Sequence, residues 1–343
     1  MSFEIRRGTN ISHWLSQSKQ RGEPRRKFFT RDDVRRIADW GFDHLRLPVD
    51  EEQLWDTDGH REAEALDLLG AALDWCAEAG LRVIVDLHIL RSHYFNQQTV
   101  PSLFADPAEA RRFADLWRDL SDVLRERSTS NVAYEVLNEP VAPDPDDWNR
   151  VALAALAAIR EREPRRTVVL GSNLFQSCDT FDRLAVPDRD REPGDHLMLS
   201  FHFYRPMFVT HYRAPWWRDG GEYDGPIQYP GRPIPDEAFA ALPPARQDAW
   251  AKLNRPYDRE AMRADLALPL VVREGTGRLL YCGEFGCRLV TPEALRHRWY
   301  RDIVSLFEEL DIAFANWDYR GGFGLVDADG RDTGIARDLL ARA

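Results

Sequence analysis

Short apolar runs alternate with amphipathic helical stretches from one end of the sequence to the other, and no other feature restricts the fold as much. A first run leads into residues 8–11, and seven more follow at 44–49, 82–88, 132–137, 167–171, 196–204, 278–284 and 312–318. Such runs, separated by helices, are typical of parallel strands in βαβ units. Eight of them in 343 residues predict an α/β fold whose strands close into a (β/α)8 barrel, the TIM barrel.

The helices between these runs have their own start and stop signals. Thr30 precedes a helix that we expect to end at Gly41, and further helices are predicted over 61–79, 107–127, 146–162 and 292–310. No repeat or linker interrupts the pattern, so residues 1–343 are expected to form one domain. Residues 205–255 are too long for an ordinary connection, which predicts a loop insertion after the sixth strand.

Charge and cysteine content argue against several classes of protein. The formal net charge of −11 disfavours nucleic acid or an anionic membrane as a partner. The four cysteines have neither zinc-ligand spacing nor the density of a disulfide scaffold. No stretch has the roughly 18 apolar residues of a membrane span, and the N-terminus lacks the apolar core of a signal peptide. We therefore expect a cytoplasmic protein, or a secreted one whose leader has been removed.

Residues 134–140, Tyr-Glu-Val-Leu-Asn-Glu-Pro, join a buried strand to a polar pair. Pro140 stops the strand because proline cannot donate a hydrogen bond to a sheet. A carboxylate at the end of a buried strand is desolvated, which raises its pKa and lets it hold a proton near neutral pH. Alternatively, Glu139 caps the next helix or pairs with an arginine.

The ends of the predicted strands concentrate polar and aromatic side chains. Six of the eight strands end in such residues, namely Arg46, His88, Asn138 with Glu139, His202 with Tyr204, Glu284, and Trp317. Because the active site of a (β/α)8 barrel lies at the C-terminal ends of its strands, these side chains are expected to meet in one site. Two carboxylates facing each other across a pocket are the equipment for hydrolysing a glycosidic bond.

Seven short motifs, in order along the chain, resemble those of the family 5 glycoside hydrolases, the cellulase family. They are Arg-Gly-Thr-Asn-Ile at 7–11, Leu-Arg-Leu-Pro at 45–48, Asp-Leu-His at 86–88, Leu-Asn-Glu-Pro at 137–140, His-Phe-Tyr at 202–204, Gly-Glu-Phe-Gly at 283–286 and Asn-Trp-Asp-Tyr at 316–319. The resemblance covers nearly the whole chain. It implies a retaining hydrolase of β-linked glucosyl or mannosyl chains, small or polymeric, that needs no cofactor or metal.

The resemblance also implies roles for individual residues. Glu139 would be the general acid/base and Glu284 the nucleophile, with the two carboxyl groups about 5–5.5 Å apart. The remaining expected sugar-binding or supporting residues are Arg46 and Tyr204 beside Glu284, Asn138 at the sugar 2-hydroxyl, His88 and His202 in the same subsite, Trp317 as a stacking surface, and Asn10 and His93. His93 departs from the commoner paired-histidine pattern of the family.

Several alternatives stay open at this point. Arg46 could be only an ion-pair partner of Asp86 or Glu139, and His88 and His202 could be core histidines. The aromatic residues of 205–255 (Trp216, Trp217, Tyr223, Tyr229 and Trp250) either stack on sugar rings or form a small core of their own. A carbohydrate-binding pseudoenzyme, a metal-dependent hydrolase and a transglycosylase on the same barrel are the competing functions.

Overall fold

Eight parallel strands close into a barrel in sequence order, because β1 pairs with both β2 and β8. The structure is a computed structural model that describes residues 2–96, 99–188 and 196–341. Its strands are β1 (Arg7–Asn10), β2 (His44–Val49), β3 (Arg82–Leu87), β4 (Val132–Glu135), β5 (Val168–Gly171), β6 (Leu197–Phe203), β7 (Leu279–Phe285) and β8 (Ala313–Asn316). The predicted (β/α)8 barrel is confirmed.

Helices surround this barrel, and the longer ones match the predicted stretches. They are α1 (Glu23–Phe28), α2 (Arg31–Trp40), α3 (Glu51–Leu54), α4 (Ala63–Glu78), α5 (Ser102–Ala105), α6 (Pro107–Leu124), α7 (Pro145–Arg162), α8 (Asn173–Gln176), a 3-10 helix (Cys178–Arg183), α9 (Met207–Thr210), α10 (Asp236–Ala240), α11 (Pro244–Trp250), α12 (Arg259–Asp265), α13 (Ala267–Thr276), α14 (Glu293–Glu309) and α15 (Ile335–Leu340). Across the described residues, no helix is long and apolar enough to cross a membrane.

The predicted boundaries of α2 are explained by its caps. The Thr30 hydroxyl accepts a hydrogen bond from the backbone N–H of Asp33, and the Asp33 carboxylate accepts one from the N–H of Thr30. This reciprocal capping box satisfies two helix N–H groups that would otherwise lack partners. At the other end Gly41 has a φ of 104°, a left-handed conformation that glycine adopts without a steric cost.

The inside of the barrel is apolar at one level and polar at the next. Ile84, Ala133, Val169 and other inward side chains form a small apolar cluster with two residues that precede β1. Side chains of a strand alternate between its two faces, so the next inward positions on β3 and β4 are Asp86 and Glu135, which lie opposite each other in register. A polar layer therefore separates the apolar cluster from the C-terminal ends of the strands.

The predicted end of β4 needs a correction. The strand ends at Glu135, not at residue 137, so Glu139 lies on the loop after the strand. Sheet-like hydrogen bonds nevertheless continue beyond the strand, from Val136 N–H to the carbonyl of Val169 (3.1 Å) and from Asn138 N–H to that of Leu87 (2.9 Å). These bonds keep the loop at the barrel wall until Glu139.

Residues 204–278 connect β6 to β7 and contain α9 to α13. Trp217, Tyr223 and Trp250 are buried together around Phe208 in a separate apolar cluster, and of these three only Trp217 also reaches the pocket at the strand ends. Tyr229 belongs to the main core, whereas Trp216 is 47% exposed. That residues 205–255 are an insertion, and that the chain is one domain, stay predictions.

Candidate active site

A pocket of about 1250 Å³ opens at the C-terminal ends of the strands. It is lined by residues at the ends of seven of them, all but β2, or in the loops that follow, as expected for a (β/α)8 barrel. Seven of the residues predicted from the sequence line it: His88, Asn138, Glu139, His202, Tyr204, Glu284 and Trp317. The structure therefore brings both glutamates and most of their predicted neighbours into one cavity.

Glu139 and Glu284 face each other across this pocket with His202 between them. One oxygen of each carboxylate and Nδ1 of His202 all lie within 4.8 Å of one another. The histidine Nδ1 is 2.9 Å from Oε1 of Glu139 and 3.7 Å from Oε2 of Glu284. Burial holds the pKa of His202 well below its usual value, so the ring is neutral and can donate one hydrogen bond to a carboxylate.

Both oxygens of Glu284 receive a hydrogen bond. Arg46 donates from Nη1 to Oε1 (2.8 Å), and the Tyr204 hydroxyl donates to Oε2 (2.9 Å). Burial raises the pKa of Glu284 above its usual value, and the charge of Arg46 and the hydrogen bond from Tyr204 offset this rise only in part. A carboxylate that is held by a guanidinium and a phenol is oriented and has its ionised form favoured.

Glu139 has a different environment. Burial and then the charge of Glu284 hold the pKa of Glu139 well above its usual value, and the more distant Arg46 offsets this only in part. Its backbone N–H donates to the Gln176 side chain (3.1 Å). Of the two acids, Glu139 is therefore the one that retains a proton at a pH where Glu284 has lost its own. Two carboxyl groups whose environments separate their pKa values are the usual basis of an acid and nucleophile pair.

Arg46 lies below the pocket surface and is fully buried. Its guanidinium contacts three carboxylates, those of Asp86 (3.0 Å), Glu135 (2.6 Å) and Glu284 (2.8 Å). It also donates to the side-chain oxygens of Asn10 (3.0 Å) and Asn138 (2.9 Å). Since one cation serves three buried acids, burial still raises the pKa of Asp86 to about 7.

Three predicted binding residues do not reach the pocket. Arg46 and Asn10 are buried beneath Glu284, where Asn10 donates to the carbonyls of Gly283 (3.0 Å) and Asn316 (3.1 Å). They support the site from below instead of touching a sugar. His93 is also fully buried, with its ring edge-to-face against Phe104 at 5.6 Å. Its backbone pairs with that of Leu90 through two hydrogen bonds (2.9 and 3.1 Å), and its side chain packs in the core.

His88 and Trp317 form one wall of the pocket. Their rings are parallel to within 8° with centroids 5.5 Å apart. The His88 Nδ1 lies 2.8 Å from Asp86 and its Nε2 lies 3.2 Å from Gln17. Because burial lowers the pKa of His88 to about 3, the ring is neutral; Nδ1 donates to Asp86 and Nε2 accepts from Gln17.

Several residues of this site escaped the sequence analysis. Glu135 and Gln176 lie below the pocket with Asp86, which the sequence indicated only as an alternative ion-pair partner of Arg46. The period of two along β3 and β4 would have placed Asp86 and Glu135 there. Other pocket residues that the strand-end argument missed include Gln17, Leu174, Phe175, His211, Arg288 and Phe323. His13, Tyr94 and Asn96, which lie in loops after β1 and β3, also line the pocket.

Among the described residues, Glu139, His202 and Glu284 are also the one buried group with the spacing to hold a metal ion. Both oxygens of Glu284 already accept hydrogen bonds from Arg46 and Tyr204. A bound cation would have to share these oxygens with the positive charge of Arg46. The donor set therefore suits proton transfer and nucleophilic attack better than metal binding.

A closed (β/α)8 barrel with two carboxylates across a pocket at the strand ends defines a glycosyl hydrolase of the barrel type. Comparison with known proteins identifies the family. Residues 8–322 match the family model described as cellulase, glycosyl hydrolase family 5. The chain belongs to glycosyl hydrolase family 5, as the sequence motifs predicted, and it is an enzyme.

Relatives and solved structures agree with this assignment. Endoglucanase C of Acetivibrio thermocellus is 34% identical over 91% of this chain and 90% of its own length. Cellodextrinase A of Ruminococcus flavefaciens is 28% identical over 90% of this chain and 84% of its own. Thermotoga maritima Cel5A, solved in complex with mannotriose, superposes with a TM-score of 0.77 at 20% identity, covering 98% of this chain and 97% of that one. At that identity the last similarity supports the fold alone.

Proposed function

We propose that this protein is a retaining β-glycoside hydrolase that acts on β-linked glucosyl or mannosyl oligosaccharides or polysaccharides. The observation that carries the proposal is the approach of Glu139 and Glu284, whose nearest oxygens lie within 4.8 Å. Retaining enzymes have carboxyl groups about 5–5.5 Å apart, whereas inverting enzymes need about 6.5–9.5 Å to admit a water between acid and base. The spacing supports double displacement.

In the first step, the ionised Glu284 attacks the anomeric carbon while Glu139 gives its proton to the departing glycosidic oxygen. The bond to the leaving group breaks as a covalent bond to a Glu284 oxygen forms, which leaves a glycosyl-enzyme. In the second step, Glu139, now a carboxylate, takes a proton from water, whose oxygen displaces Glu284. Esterification neutralises Glu284 and removes the repulsion that raised the pKa of Glu139, so Glu139 can remain a carboxylate and act as the base.

The neighbouring residues have roles that follow from their contacts. Arg46 and Tyr204 hold Glu284 ionised and oriented for attack. Asn138 accepts from Arg46 through its oxygen, and its Nδ2 has no partner among the described residues. That free donor suits the sugar 2-hydroxyl. Trp317, supported by the parallel ring of His88, offers an apolar face to the sugar ring.

The substrate class is supported by the relatives and by the size of the pocket. An endoglucanase and a cellodextrinase are among the relatives. The 1250 Å³ pocket carries exposed apolar side chains at its rim, Leu174 (44%), Phe175 (48%) and Trp216 (47%). These surfaces suit sugar units beyond the cleaved bond. A sugar in place of water in the second step would make the same site a transglycosylase, and product analysis distinguishes the two.

The test is the leaving-group dependence of Glu139→Gln. We expect the variant to lose about 10²–10⁴ in kcat/KM on a glycoside with a poor leaving group, such as phenyl β-cellobioside. It should lose far less on the 2,4-dinitrophenyl glycoside, whose departure needs no proton. NMR of the first product should show the β-anomer. Equal losses on both substrates, or an α-anomer as first product, would contradict the proposal.

A further inference from the structure

Three consecutive residues after β5 have left-handed backbone conformations although none is glycine. The φ angles are 49° at Leu174, 64° at Phe175 and 52° at Gln176. Residues with side chains avoid this region because the Cβ atom crowds the backbone, so a run of three persists only where surrounding contacts impose it. We call residues 173–176, the segment of α8, the β5 turn.

Those contacts come from the loop that carries Glu139. Asn173 accepts from the N–H of Ala142 (3.0 Å) through its side-chain oxygen and donates to the carbonyl of Ala142 (2.8 Å) through its nitrogen. The N–H of Phe175 donates to the carbonyl of Pro140 (3.2 Å). The β5 turn is thus bound along residues 138–142, which fixes its unusual conformation and that loop together.

Gln176 makes the contact with Glu139 itself. Its Oε1 accepts from the backbone N–H of Glu139 (3.1 Å), and its Nε2 donates to Oε1 of Glu135 (3.0 Å). These two partners fix the orientation of the amide, because the opposite one would turn its oxygen toward a carboxylate and its NH2 toward an N–H. Gln176 is fully buried, and the absence of a side chain at Gly171 provides the space it fills.

We propose that Gln176 is a positioning residue for the acid/base Glu139, which itself has a left-handed φ of 44°. It completes a continuous chain of hydrogen bonds from the Glu139 backbone through Glu135 and Arg46 to Glu284. The two reacting carboxyl groups are thereby held at a fixed separation by one buried network. This inference rests on the proposed function of Glu139.

A positioning role predicts a selective defect. Gln176→Met keeps the length of the side chain but removes both hydrogen bonds, so the Glu139 loop can leave its place. Misplacement of a catalytic group by about 1 Å costs about 10²-fold in rate. We therefore expect about 10- to 100-fold loss of kcat/KM on phenyl β-cellobioside and less than about threefold on the 2,4-dinitrophenyl glycoside. A partly unfolded preparation lowers both values equally and leaves their ratio unchanged.

Asn149 provides the matched control. Its amide also joins an N–H to a carbonyl, accepting from Ala185 (2.9 Å) and donating to Arg183 (2.9 Å), away from Glu139. Asn149→Leu should leave the ratio of kcat/KM on the two substrates as in the wild type.

Gly171→Ala keeps the Gln176 amide but displaces it, because the added methyl group occupies the space of that side chain. This variant should change the ratio in the same direction as Gln176→Met. If Gln176→Met does not fold, Gly171→Ala still tests the proposal.

The double variant Gln176→Met/Glu139→Gln decides whether the effect passes through Glu139. If it does, the second substitution adds no further loss on phenyl β-cellobioside once Glu139 is already a glutamine. Losses that multiply, or an unchanged ratio in both Gln176→Met and Gly171→Ala, would overturn the proposal. A failure of the proposed function has a different signature, because Glu139→Gln alone would then lose equally on both substrates.

Discussion

Replacing Arg46 tests how the site keeps Glu284 ionised. In Arg46→Met, the three acids Asp86, Glu135 and Glu284 lose their common cation, which lies within 3.0 Å of each. Two unit charges about 4 Å apart interact by about 4 kcal/mol at an effective dielectric constant of about 20. Since about 1.4 kcal/mol corresponds to one pKa unit, the full effect is about three units. Asp86 and Glu135 also take up protons when the cation is lost and then repel Glu284 less, so we expect the pKa of Glu284 to rise by less than this, but by at least about one unit.

The sign of the change in the pH profile follows directly. The nucleophile reacts only when it is ionised, so the acidic limb of kcat/KM reports the pKa of Glu284. Without Arg46 that pKa rises, and the acidic limb moves to higher pH. The assay is kcat/KM between pH 4 and 9 on the 2,4-dinitrophenyl glycoside, whose cleavage does not need the acid. Arg46→Lys, which keeps a positive charge, should move the limb less.

Arg25 is the control for the loss of a buried arginine. It is fully buried as well and pairs with Glu62 (3.1 Å) and with Glu64, outside the pocket lining. Breaking a buried ion pair from one side costs about 3–5 kcal/mol of stability, so both Met variants should melt earlier. Only Arg46→Met should shift the acidic limb. An unmoved limb in Arg46→Met, or an equal shift in Arg25→Met, would refute the reasoning.

Three further predictions concern the metal, the pH dependence of stability and the outer pocket. Excess EDTA should leave kcat/KM unchanged within about twofold, since general acid–base and nucleophilic catalysis need no metal; loss restored by a divalent cation would contradict this. Burial raises the pKa of Asp50 to about 7 from an unfolded value of about 3.9. The contribution of Asp50 to stability therefore falls as pH rises from about 4 to 7. The Tm of Asp50→Asn minus that of the wild type should be larger at pH 8 than at pH 4. An equal difference at both pH values would count against a raised pKa of Asp50. Trp216→Ala should raise KM for long oligosaccharides about tenfold by loss of apolar contact. KM for short aryl glycosides should stay unchanged. An equal rise in KM for both substrates would mean that Trp216 does not belong to an outer subsite.

The fold could be predicted because it depends on patterns that are local in sequence. Alternating apolar runs and helix caps such as Thr30 and Gly41 identify the elements, and eight βα units leave the barrel as the compact solution. The strand-end rule then brought Glu139 and Glu284 into one pocket. Glu284 lies on β7 and Glu139 on the loop after β4, and closure of the barrel directs both toward the same pocket.

The depth at which each side chain lies within the barrel could not be predicted from the sequence in the same way. Arg46 lies in the middle of β2, Asn10 ends β1 and His93 lies in the loop after β3, and the side chains of all three are buried below the pocket or behind its wall. The position of a residue at a strand end predicts which edge of the sheet it lies on. Whether its side chain points into or out of the barrel depends on the register of the strands and on the path of each loop. Gln176 carried no signal at all, because its role arises from the left-handed β5 turn against the Glu139 loop.

The aromatic residues of 205–255 illustrate the same limit. Composition indicated an ordered segment, yet it could not tell that Trp217 and Trp250 pack inside it while Trp216 is exposed at the pocket. Adjacent tryptophans differ here only by which side of the chain faces the local cluster. That side depends on contacts distant in sequence.

The central claim is that Glu284 forms the covalent bond to the sugar, and Glu284→Ala with azide tests it most directly. The variant should have no measurable turnover of the 2,4-dinitrophenyl β-glycoside, because the nucleophile is missing. Added azide should restore turnover and give the α-glycosyl azide, since the small anion attacks from the face that Glu284 occupied. Turnover without azide, or a β-glycosyl azide as the product, would contradict the account.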